Sequence, residues 1–63
     1  MDLDVALKKA APYLTHLNLI QEHLEEWKKL KDIEQVLQEI DKLIVQAGPQ
    51  LKTDLTIFRN ALV

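Results

Sequence analysis

Residues 27–32 read Trp-Lys-Lys-Leu-Lys-Asp (WKKLKD). They decide whether the chain is one long rod or turns back on itself. Upstream, Leu3, Leu7, Ala10, Leu14, Leu17, Ile20, Leu24 and Trp27 step by threes and fours, the spacing of one helix face. Downstream, Ile33, Val36, Leu37, Ile40, Leu43, Ile44 and Ala47 make a second, broader stripe. Between them the steps Trp27 to Leu30 and Leu30 to Ile33 are both three. At about 100° per residue, each such step rotates the stripe by roughly 60° on a continuous helix, and the two together by roughly 120°. Lys28, Lys29 and Lys31 suit the negative end of a finishing helix, and Asp32 and Glu34 the positive end of a starting one. Asp32 is also a good N-cap, with Gln35 three residues on, as in a capping box. We therefore place a corner at residues 30–32. With neither Gly nor Pro there, one long helix with a phase slip is the competing reading.

Working outward, the first segment covers about residues 2–30. Asp2 and Asp4 sit in its opening turn, where the helix dipole favours acids. Pro12 interrupts it, because proline removes a backbone donor and clashes with the turn before it. Either the helix kinks through Pro12 or a fresh helix starts there, where proline is tolerated. The unbroken phase favours the kink.

The second helix spans 32–47. Gly48 then stands where a left-handed, helix-ending residue is wanted, and Pro49 cannot continue the old ladder. A last helix over about 50–62 carries Leu51, Leu55, Phe58 and Leu62, with Ile57 and Ala61 alongside. It begins at Pro49 or is capped by Thr53.

Sixty-three residues make one domain, 1–63. No strand-like alternation persists, so the class is all-α: an antiparallel helical hairpin plus a shorter third helix. The predicted core is Leu7, Leu14, Leu17, Leu24, Ile33, Leu37, Ile40, Ile44, Leu55 and Phe58. A chain this short buries only about 60% of its unfolded surface. Val5, Leu19, Val45, Ile57 and Val63 also fall off the main stripes. These spare apolar residues predict a second buried surface, supplied by a homodimer or another protein.

Composition narrows the function. No cysteine is present, which excludes disulfides and thiolate metal sites and fits the cytoplasm. Ten acids against eight bases leave a net charge of −2, which argues against nucleic-acid or anionic-membrane binding by bulk charge. No apolar run approaches a membrane span, and acids stand where a secretory signal would carry lysines. A hydrophobic fraction of 48% is too high for a disordered tail.

The chemistry-bearing residues have plain explanations. His16 and His23 are seven apart, about 10.5 Å along a helix, too far to hold one metal ion. Glu22, Glu25 and Glu26 have Lys28 and Lys29 one turn onward and read as a solvated face. The Lys28-Lys29-Lys31 knot reads as dipole capping. Trp27 is a core plug or an interface anchor, and Tyr13 could serve the same surface. No nucleophile elbow, Gly-rich phosphate loop or paired-histidine motif is present.

The sequence thus predicts a non-enzymatic protein–protein interaction module: a small regulator, adaptor or inhibitor. No catalytic residue, cofactor, metal or small-molecule substrate is expected. The candidate interface residues are Tyr13, Leu19, Trp27, Val45, Ile57 and Leu62. A small dimeric helical nucleic-acid-binding regulator is the alternative. It is weakened by the acidic balance and by a single arginine, Arg59.

Overall fold

The computed structural model describes residues 2–62. It is all-helical: α1 (Leu3–Ala10), a 3₁₀ turn (Ala11–Tyr13), α2 (Leu17–Trp27), α3 (Ile33–Gln46) and α4 (Pro49–Leu62).

The first segment is two helices, a difference from the single kinked one expected. Asp2 caps α1, its Oδ1 accepting the Asp4 N–H at 2.9 Å. Pro12 has no N–H to bond back to the preceding turn, so the ladder stops and tightens into the 3₁₀ turn. Leu14 is extended (φ −85°, ψ 135°), and α2 starts only at Leu17. The unbroken apolar phase misled because both helices bury a face on the same core. Leu3, Ala6 and Ala10 come from α1, and Ile20, Leu24 and Trp27 from α2.

WKKLKD is a corner. The Leu30 N–H bonds back to the Trp27 carbonyl at 3.0 Å, which closes the turn. Asp32 is extended (φ −141°, ψ 166°) and its Oδ1 accepts the Gln35 N–H at 3.0 Å. Gln35 reaches back to the Lys31 N–H at 3.2 Å, one residue before the usual capping-box donor.

The second corner departs from its expected geometry. Gly48 has no positive φ. Instead Ala47 turns extended (φ −79°, ψ 153°), and the Gly48 carbonyl accepts the Lys52 N–H at 2.9 Å, which makes Gly48 the N-cap residue of α4. Pro49 takes the first helical position, where its missing N–H costs nothing.

Helix α4 is central, lying against both α1 and α3. It buries Asp54, Leu55 and Phe58. The Phe58 ring stacks on Trp27 at 5.4 Å between centroids, which joins α4 to α2. Of the predicted core, Leu24, Ile40, Leu55 and Phe58 are buried, while Leu7, Leu14, Leu17, Ile33, Leu37 and Ile44 are only half-buried. Small Ala6 and Ala10 and central Val36 take the interior places instead. The accessible surface is 4318 Å², against about 4,200 Å² expected from the mass of a lone folded domain. Ten apolar residues among those described are buried within the single chain.

Candidate functional site

The least expected side chain in the core is Asp54, with no exposed surface. It lies on the apolar line of α4, three residues after Leu51 and four before Phe58. Its Oδ1 accepts the Thr15 N–H at 3.0 Å, and its Oδ2 accepts the His16 N–H. His16, the N-cap residue of α2, offers no side-chain cap of its own. The carboxylate on α4 thus ties down the two backbone N–H groups that lead into α2, Thr15 just before the N-cap and His16 at it. Two charge-assisted hydrogen bonds offset much of the cost of burying the acid.

His16 Nδ1 lies 3.4 Å from Asp54 Oδ2 without a hydrogen bond to it. The imidazole stands at the start of α2. It forms one wall of a hollow of about 400 Å³ with Leu19, Gly48, Pro49, Gln50 and Leu51.

A second hollow, about 340 Å³, opens farther along α2. His23, Glu26, Trp27 and Leu30 line one side, Glu39 and Leu43 of α3 the other. His23 stacks on Trp27 at 5.7 Å between centroids, so the floor is aromatic. Leu19, His23 and Glu26 stand at i, i+4 and i+7, one flank of α2, and this flank runs from the first hollow to the second. The only charged residues lining the two hollows are Glu26 and Glu39, with no lysine or arginine.

Two hollows of about 600 Å³ each, around Asp4 and Lys28, are different in kind. One carries Asp2, Asp4, Lys28, Lys31 and Asp32, and its acids and bases largely cancel. Lys28 Nζ sits 3.0 Å from Asp4 Oδ1 and 3.8 Å from Glu25 Oε1. The hydrogen bond to Asp4 raises the Lys28 pKa above its ordinary value.

The predicted interface residues separate. Tyr13 (72% exposed) and Val45 (84%) stand out from the surface, and Leu19 (41%) lines the first hollow. Ile57 and Leu62 are half-buried against the core. Trp27, at 3% exposure, is buried in the core, stacked on both His23 and Phe58, and reaches the surface in the linings of the second hollow and of the one that carries Lys31 and Asp32. Val63 lies outside the described residues. Sequence reasoning missed the contact of Asp54 with residues 15 and 16, the place of His16 and Leu51 at the first hollow, and that of Glu39 at the second. An acid on the apolar line of α4 was the available signal.

No group of three or more His, Cys, Asp or Glu side chains among the described residues could hold a metal ion. No helix among them is long and apolar enough to cross a membrane. No family model, curated protein or solved structure matches the chain.

Proposed function

We propose that this chain is a non-enzymatic protein–protein interaction module acting through apolar residues on its helix surfaces. The observation that carries this reading is the run of two apolar hollows along α2, walled by Leu19, Leu51, Leu30 and Leu43, which lie open on a chain that buries a core of its own. Hollows floored by leucine and an aromatic ring are the form in which helical domains receive a partner's apolar side chains. Tyr13 and Val45 add exposed apolar surface outside them. Association, as a homodimer or with another protein, is here a property of a finished domain.

The test places a photo-crosslinking amino acid at Leu19 and, as a control, at exposed Gln38 on α3, in the living source cell. One dominant product from position 19, identified by mass spectrometry and missing from position 38, supports the reading. Equal labelling from both positions, or none from either, overturns it.

A further inference from the structure

Helix α1 turns its buried line, Leu3, Ala6 and Ala10, toward α4. Its opposite face carries Val5, Lys8 and Lys9 at i, i+3 and i+4, all exposed, and the chain then delivers exposed Tyr13. Among the described residues, no carboxylate pairs with Lys8 or Lys9. This patch is apolar and positively charged. The hollows along α2 are apolar, and the only charges lining them are Glu26 and Glu39. Each glutamate has a lysine at i+3, Glu26 with Lys29 at 3.8 Å and Glu39 with Lys42 at 3.4 Å. Those pairs are solvent-exposed and of little worth, so an incoming cation displaces them readily.

The chain therefore carries two different surfaces that match each other in polarity and in sign. Resting on the interaction reading above, we propose that the partner is a second copy of this chain. The α1 face of one copy (Val5, Lys8, Lys9, Tyr13) docks on the hollows along α2 of the other (Leu19, Leu43, Glu26, Glu39). Lys8 and Lys9 meet the two glutamates while Val5 and Tyr13 enter the hollows. Two unlike patches pair, so the contact is made twice in a closed two-fold dimer or once per copy in an open series. Neither patch is extensive, and the contact belongs with small, weak interfaces.

The experiment is light scattering of the purified chain from about 10 µM to about 1 mM, the range in which weak contacts of this size populate. It is run on the natural chain, on K8E/K9E, on E26K/E39K and on all four changes together. All are exposed or half-buried polar positions, and circular dichroism checks that each variant is folded. The natural chain should associate, each charge reversal should weaken association roughly tenfold, and the fourfold variant should recover it. Added salt should weaken the natural contact. Overturning outcomes are a natural chain that stays monomeric throughout, or one that associates with no response to either reversal. A monomer overturns this pairing only. Cross-linking at position 19 still decides the interaction reading, since a product containing a different protein keeps that reading and removes this partner.

Discussion

Asp54 on α4 holds the backbone N–H groups of Thr15 and His16, and so anchors the entry to α2 from 38 residues away. Replacing it by alanine leaves two donors in a part-buried site without a partner, at about 1–3 kcal/mol each. We expect Asp54→Ala to lower the unfolding free energy by about 3 kcal/mol. A chain of this length has only about 3–9 kcal/mol in all. Asp54→Asn keeps one carbonyl acceptor and should lose about half as much. Urea denaturation followed by the fluorescence of Trp27 measures both. A loss below about 0.5 kcal/mol for the alanine variant would show that the carboxylate does not anchor the entry to α2.

The corner after Trp27 rests on a local cap. Asp32 Oδ1 receives the Gln35 N–H at 3.0 Å, and both residues are exposed. Asp32→Ala should therefore cost about 1 kcal/mol, with little change in helix content. Asp32→Ser, which restores a capping oxygen, should recover most of it. An alanine variant as stable as the parent in the same denaturation experiment would mean that the turn is held by packing of Trp27 and Val36 alone.

The break at residues 28–32 and the break at Pro12 differ in how legible they were. At residues 28–32, cap, charge reversal and phase slip are local signals, and all three point to the turn the structure has. At Pro12 the pattern was ambiguous, because the break lies in the backbone while the apolar phase reports only the shared core. Which leucines are fully buried was not legible. That depends on how closely α1 approaches α4, which small Ala6 and Ala10 permit. The alliance of Asp54 with residues 15 and 16 is a contact between distant parts of the chain, and periodicity carries no information about such pairs. The exposure of Tyr13, Leu19 and Val45 followed from their places off the stripes, whereas Trp27 was on a stripe and went inside.

Lys28 joins the end of α2 to the start of α1 through its 3.0 Å contact with Asp4. The hydrogen bond to Asp4 is the main cause of its raised pKa, which starts from an ordinary value of 10.5. A raised folded-state pKa means that the charged form is favoured by folding. The stabilisation is then complete below pH 10.5 and is lost as pH rises through the higher folded-state value. Both groups are solvent-exposed, so the effect is small and sensitive to salt. Comparing the natural chain with Lys28→Met, we expect the stability difference to be largest at neutral pH and low salt and to shrink above pH 10.5. A difference that is unchanged across that range would remove the Asp4 contact as its cause.

Gly48, the chain's only glycine, gives the sharpest test of the second corner. If it held a left-handed residue, any side chain there would be strained and destabilising. In the structure its φ is not positive, a Cβ added to it would meet nothing within 4 Å, and its carbonyl accepts the first hydrogen bond of α4 from Lys52. A serine at this N-cap position restricts the unfolded chain and supplies an oxygen for the free N–H groups of the first turn. Gly48→Ser should therefore raise the unfolding free energy by about 0.5–1 kcal/mol. Gly48→Ala gains the same unfolded-state restriction but offers no capping oxygen, so it should fall below the serine variant by about 1 kcal/mol. Thermal and urea unfolding of the two variants beside the parent decide the matter. If both lose stability together, the helix ends on a left-handed glycine and Ala47 does not make the turn.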